Sequence, residues 1–249
     1  MSRPVVLITG GVRRVGRAIA GTFAGAGWDL VLTYNSSGHE AQRAVAELGQ
    51  RGAAVRTDQL DLDDPHGVES YAELISHECE RIDAVVHNAS TYFPTPIDTL
   101  AAEDALRLFR VNALAPLVLT RGLAEKLRNS PRPHGGSVVA MCDAHAMGRP
   151  RSGYSAYSMS KAALGEMVRS LARELAPHVR VNGIAPGVIL WPETGDDSDE
   201  AAQQRYLDRV PLKRSGTPAE AAQLVRWLTI DATYITGEII RLDGGRHLG

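Results

Sequence analysis

The sequence predicts one α/β domain: a doubly wound, mostly parallel sheet of seven strands with helices on both faces. Three observations carry this. Short apolar runs alternate with helical patterns along all 249 residues. The first run breaks into a glycine-rich turn that opens a helix. No linker, repeat or low-complexity tract interrupts the alternation.

Val5-Val6-Leu7-Ile8 reads as a strand buried on both faces. It leads into Thr9-Gly10-Gly11-Val12-Arg13-Arg14-Val15-Gly16 and a helical pattern through Ala26, with Gly27 as its stop. Strand, glycine turn and helix open a dinucleotide-binding unit, because glycine lets the backbone approach a pyrophosphate at the positive end of the helix. The same turn also serves as a tight connection with no ligand. Leu30–Thr33 is the second strand. An acid near its end would hold a ribose 2′-hydroxyl; here Tyr34, Asn35, Ser36 and Ser37 follow, with no acid before Glu40. Hydroxyls there, with Arg13 and Arg14 in the turn, suit a 2′-phosphate and predict NADPH over NADH.

A helix is expected over about 38–50, a strand near Ala53–Thr57 and a helix over about 65–80. Asp61 and Leu62 fall where the adenine end of a cofactor would lie. Ala84–His87 is a strand ending in Asn88-Ala89-Ser90, small residues that leave room for a ligand. The loop Thr91-Tyr92-Phe93-Pro94-Thr95-Pro96 is aromatic and proline-rich. A long helical region over about 102–129 contains Asn112 and Pro116, where a bend or a freed carbonyl is expected; Asn112 reads equally as the side chain that mends that bend. Ser137–Met141 is the fifth strand, followed by Cys142-Asp143. The next helix runs to about Ala176 and carries Tyr157 and Lys161. Val179–Asn182 is the sixth strand, followed by Ala185-Pro186-Gly187-Val188. The acidic stretch Glu193–Glu200 is expected to be a mobile lid. Helices near 201–209 and 218–229 and a strand near 239–242 complete the chain. Gly10, Asn88, Asp143 and Gly187 all fall at the carboxyl ends of strands, where such sheets bind ligands.

Tyr157 and Lys161 stand one helical turn apart. The chain has only three lysines, Lys126, Lys161 and Lys213. An ammonium beside a phenol is expected to favour the phenolate and lower its pKa, making a usable acid near neutral pH. Tyr and Lys at this spacing also occur as an ordinary solvated face.

The bulk properties bound the function. Hydrophobic residues make up 44% and charged residues 22%, as in a soluble globular protein, and the net charge of −2 argues against nucleic acid or an acidic membrane as partner. Two cysteines, Cys79 and Cys142, make neither a disulfide framework nor a metal cluster and fit a reducing compartment. The first residues lack a signal-peptide pattern or a spanning helix. These features predict a cytoplasmic protein with a small-molecule substrate.

Taken together, Thr9-Gly10 with Gly16, Asn88-Ala89-Ser90, Asn112, Tyr157 with Lys161, and Pro186-Gly187 resemble the short-chain dehydrogenases/reductases, in order and spacing, over essentially the whole chain. Within that family the chain resembles the pteridine reductase and dihydromonapterin reductase branch. Arg14 replaces the middle glycine of the turn, the loop Tyr92–Pro96 is similar to the branch's aromatic loop, and Asp143 replaces the serine usual after the fifth strand. The family places that serine or aspartate 13 residues before the tyrosine; here Ala144 holds that position and Asp143 lies 14 before. A one-residue insertion in the loop 147–153 reconciles the two.

The resemblance implies a Rossmann-like fold, NADPH as cofactor and hydride transfer to a dihydropterin, with folates left open. Tyr157 would donate the proton, directly or through Asp143. Lys161 would hold the nicotinamide ribose, and Asn112 would support a water that resupplies the proton. Asp143, Tyr92 and Arg14 would meet the pterin, Asp143 bonding its N/NH₂ edge in two places. Gly10, Arg13, Arg14, Val15, Gly16, Tyr34, Asn35, Ser36, Asp61, Leu62, Asn88, Ala89, Ser90, Pro186, Gly187 and Val188 would hold the cofactor with Tyr157 and Lys161. His145 and Trp191 lie in loops that reach the pocket or pack outside it. A homotetramer is implied by the family alone. Two rivals remain: a carbonyl reductase for a ketone, sugar or 3-oxoacyl thioester, and an NADPH-binding regulatory protein without turnover.

Overall fold

A computed structural model describes residues 3–148, 151–191 and 198–248. Seven strands form one parallel sheet in the order β3-β2-β1-β4-β5-β6-β7. They are β1 Val5–Ile8, β2 Asp29–Tyr34, β3 Val55–Gln59, β4 Ala84–His87, β5 Gly136–Met141, β6 Val179–Pro186 and β7 Ile239–Leu242. Between them run α1 Arg14–Gly25, α2 Gly38–Gly49, α3 Pro65–Glu78, α4 Ala102–Phe109, α5 Ala115–Arg128, α6 Ser155–Leu175, α7 Glu200–Leu207 and α8 Pro218–Ile230.

Alternation along each strand divides the core. Leu7, Val31, Val85, Val138 and Val181 point to one face and pack with α3, α5 and α6 through Val68, Leu119, Leu123, Val168 and Leu171. Val6, Ile8, Leu32, Val86 and Val139 point to the other and pack with α1, α2 and α8 through Ile19, Phe23, Leu48, Val225 and Leu228. Burial on both faces is why these strands read as continuous apolar runs. The strand order reverses between β1 and β4, so a crevice opens there at the carboxyl ends.

Local chemistry sets the helix starts. Thr217 and Glu220 form a reciprocal capping box at α8, with Pro218 in the first turn. The Asp64 side chain accepts from the His66 N–H at α3, and Asp199 accepts from Ala202 N–H at α7. Gly27, with φ +81°, follows α1 where the chain must turn left-handed.

Three expectations need correction. The third strand lies two residues later than Ala53–Thr57. The sixth strand continues to Pro186, because its pairing with β5 and β7 runs on through Ile184 and Leu242. The single helix over 102–129 is instead α4 and α5 joined by a π-helical turn, Arg110–Leu114. Pro116 sits in the first turn of α5, continuous with that π-helical turn, and has no N–H to give the Asn112 carbonyl. The expected lid at Glu193–Glu200 falls mostly outside the described residues.

Candidate active site

The first turn after β1 is braced from β4. Thr9 Oγ1 accepts from the Asn88 and Ala89 N–H groups at 3.0 and 3.1 Å, while Asn88 Nδ2 donates to the carbonyls of Thr9 and Gly10 at 3.0 and 3.2 Å. Gly10 has φ +63°. A Cβ on Gly16 would lie 2.0 Å from the Gly10 carbonyl oxygen and 2.7 Å from Asn88 Nδ2, so only glycine lets α1 start this close to the turn. Arg14, at the first position of α1, also has positive φ, +50°, and its Nη2 donates to the Trp191 carbonyl at 3.1 Å.

Beside this turn lies a cavity of about 460 Å³ lined by Gly10, Arg13, Arg14, Val15, Tyr34, Asn35, Ser36, Asp61, Leu62, Asn88, Ala89 and Ser90. A second cavity of about 860 Å³ shares Arg14, Val15, Asn88 and Ser90 with it and continues past Asp143, Tyr157, Lys161, Pro186, Gly187 and Val188. Every cofactor position expected from the sequence lines one or the other except Gly16, which acts through its closeness to Gly10. The pair of cavities, the glycine cradle and the Arg13–Ser36 flank fit a dinucleotide carrying an extra phosphate.

At the inner end, Tyr157 and Lys161 are both buried. The Tyr157 hydroxyl donates to Asp143 Oδ2 at 2.8 Å, and Asp143 Oδ1 accepts from the His145 N–H at 2.7 Å. The carboxylate is thus fixed in orientation, and Asp143 rather than Ala144 faces the tyrosine. The strand frame explains this. The Cys142 N–H reaches the Ile184 carbonyl at 2.7 Å, which pins Asp143 at the end of β5.

The electrostatics differ from the sequence expectation. Burial pushes the Tyr157 phenol well above its ordinary value, and the Asp143 carboxylate pushes the same way. Lys161 donates to the Met141 carbonyl at 2.8 Å, and its own pKa is lowered by burial. The expected lowering of Tyr157 by Lys161 is therefore reversed in this structure. A neutral phenol facing a carboxylate outweighs an ammonium whose bond goes to the strand.

Asn112 lies in the π-helical turn, outside both cavities and 1% exposed. Its Oδ1 accepts from the Thr91 N–H at 2.9 Å, and its Nδ2 donates to the Thr91 carbonyl and to Ser160 Oγ, each at 3.0 Å. It ties the start of the aromatic loop to the helix carrying Tyr157. Residue 116, whose N–H would be the α-helical partner of the Asn112 carbonyl, is proline.

Tyr92 lines the larger cavity, but one face of its ring is covered by Tyr154, stacked at 4.8 Å and 14°. It stands at 84° to Tyr157, with centroids 4.8 Å apart. His145 and Trp191 also line the cavity, each packed against Tyr206 of α7. Sequence reasoning missed Thr9, Arg151, Tyr154, Tyr206 and Arg246. Thr9 stood beside the recognised glycine; the others come from segments whose approach no local pattern signals.

A buried Tyr–Lys pair beside a fixed carboxylate, at the carboxyl edge of a doubly wound sheet with a nucleotide-shaped crevice, defines an oxidoreductase of the dinucleotide-binding class. A family profile described as Enoyl-(Acyl carrier protein) reductase matches residues 11–247. The chain belongs to the short-chain dehydrogenase/reductase family. It is 34% identical to Protein FixR of Bradyrhizobium diazoefficiens, over 98% of this chain and 87% of that one. It is 32% identical to the dihydromonapterin reductase of Klebsiella pneumoniae, over 99% and 97%. Among solved structures, FolM Alternative dihydrofolate reductase 1 from Brucella canis, complexed with NADP, superposes with a TM-score of 0.86 at 30% identity, over 99% of this chain and 95% of that one. Among the described residues no helix is long and apolar enough to cross a membrane, and no group of side chains could hold a metal ion.

Proposed function

We propose that the chain is an NADPH-dependent reductase acting on a pterin-like ring, taking a dihydropterin to a tetrahydropterin. The observation that carries this reading is the Asp143 carboxylate, held 2.8 Å from the Tyr157 hydroxyl. A carbonyl reductase needs a hydroxyl donor at that place, whereas a carboxyl can bond an N/NH₂ edge in two places. The similarity to a dihydromonapterin reductase and to an NADP complex supports the same reading.

NADPH supplies the hydride from its nicotinamide when bound. Gly10, Gly16 and the start of α1 hold its pyrophosphate, Arg13 and Ser36 its 2′-phosphate, and Lys161 its nicotinamide ribose. Tyr157 enters protonated, the state that burial and Asp143 enforce, and gives its proton to the substrate directly or through the carboxyl it faces. The Asn112 turn resupplies that proton through a water. Tyr92 stacks on the substrate with the ring face that Tyr154 leaves uncovered.

The test follows NADPH absorbance on adding 7,8-dihydropterins (monapterin and biopterin forms), with a ketone, a 3-oxoacyl thioester and an enoyl thioester alongside. Oxidation with the dihydropterins and not the others supports the reading. Oxidation with carbonyl or enoyl compounds alone rejects the substrate class while keeping the Tyr157 and Lys161 chemistry.

A further inference from the structure

We propose that Tyr154 is a positioning residue: with Arg151 it holds Tyr92 edge-on to Tyr157, and so sets the slot that a flat substrate enters. The proposal deepens the reductase reading and rests on it for the substrate used.

Four side chains form one connected unit along the wall of the larger cavity. The Arg151 guanidinium lies 4.5 Å from the Tyr154 ring centroid, and its Nη1 donates to the Tyr92 hydroxyl at 2.8 Å. The Tyr154 and Tyr92 rings are stacked at 4.8 Å, and Tyr92 meets Tyr157 at 84°. Both aromatic contacts have the separations and angles that ring quadrupoles favour, and the cation adds to them.

The backbone restricts the same unit from both sides. Asn112 holds Thr91 by its N–H and its carbonyl. At the other end, the Thr95 N–H donates to the Gly153 carbonyl at 2.6 Å, Thr95 and Tyr154 form a β-bridge, and Thr95 Oγ1 accepts from Ala156 N–H at 3.4 Å. The loop carrying Tyr92 is therefore fastened at the residue before it, to the π-helical turn that Asn112 links to Ser160 of α6, and three residues after it, to α6 and its lead-in. These backbone fastenings do not themselves set the rotation of the Tyr92 side chain, which is 41% exposed. Tyr154 and Arg151 fix that rotation. Tyr154 acts through Tyr92 and is not itself placed against reacting atoms.

The test compares Tyr154→Leu, Tyr154→Phe and Arg151→Gln with the unaltered chain. NADPH affinity is read by cofactor fluorescence, folding by thermal melting, and kinetics with a 7,8-dihydropterin across pH. Tyr154→Leu should raise KM for the dihydropterin by about tenfold, the combined worth of a ring pair and a cation–π contact, with NADPH affinity within about twofold. It should also move the alkaline limb of kcat/KM to lower pH, because uncovering Tyr157 removes part of the burial that holds its proton. Tyr154→Phe keeps the ring and should restore both values to within about twofold. An unchanged KM and an unmoved limb in Tyr154→Leu overturn the proposal, as does a Phe variant equally damaged. Should the Leu variant melt early, Arg151→Gln decides: a smaller KM rise with the same limb displacement supports the proposal, and neither overturns it. If the unaltered chain reduces only carbonyl compounds, the pterin reading falls, and Tyr154 is judged on the same limb with the carbonyl substrate.

Discussion

Replacing Asn112 with alanine separates a clamp from a chemical participant. The side chain makes three hydrogen bonds, at 2.9, 3.0 and 3.0 Å, from a position 1% exposed. Ser160 Oγ keeps a partner in the Tyr157 carbonyl at 2.7 Å, while both backbone groups of Thr91 lose theirs. At about 1 kcal/mol per lost bond, the cost is about 3 kcal/mol. For a chain of this size, that lowers the melting temperature by roughly 6–12 °C. Calorimetry of the purified variant reads this directly, and kinetics at a temperature where it is folded reads the rest. A fall of less than about 2 °C, accompanied by lost turnover, would refute the clamp and leave Asn112 acting through its water.

Gly16→Ala places a methyl 2.0 Å from the Gly10 oxygen and should weaken NADPH binding at least about tenfold, read by fluorescence titration, with overpacking costing about 1–3 kcal/mol in unfolding. Asp143→Asn removes the charge that helps hold the Tyr157 pKa up, so the alkaline limb of the rate profile should move to lower pH; a stationary limb would show that the two groups are not coupled. His87, buried with Nε2 2.7 Å from Thr120 Oγ1, has its pKa lowered from 6.5 to about 3 by burial. The unfolded chain binds that proton and the folded chain does not. Stability is therefore full above the unfolded value and falls with acid from about pH 6.5 towards 3, by roughly 1.4 kcal/mol per pH unit. His87→Gln should flatten this slope in urea titrations between those pH values.

The sheet was legible because its strands are buried on both faces, and the crevice because Gly10 and Gly16 meet a steric need that no other residue satisfies. Asp143 was legible against the family spacing because strand pairing, not loop length, decides where β5 ends. β3 was misplaced because Arg56, Thr57, Asp58 and Gln59 form an edge strand whose polar side chains carry no apolar signal. The protonation state of Tyr157 was not legible. Helical spacing announces Lys161 and the family resemblance Asp143, but neither shows that burial and the carboxylate outweigh the ammonium. Arg151 and Tyr154 escaped because their contacts with Tyr92 join segments about 60 residues apart.

The π-helical turn at Arg110–Leu114 stores one extra residue without disturbing the helices on either side. Its wide i→i+5 turn advances the chain about as far as a regular turn one residue shorter, so one residue fewer would regularise the rod and leave α5 close to its present phase. Leu119, Leu123 and Leu127 would keep facing α3 and the sheet, with Leu108 upstream also in place. What the shorter rod would lose is the bulge that carries Asn112, and with it the bonds to Thr91 and Ser160. A chimaera spliced in α4 or α5 can therefore take its packing face from either parent, but must inherit the turn together with the aromatic loop that the turn holds.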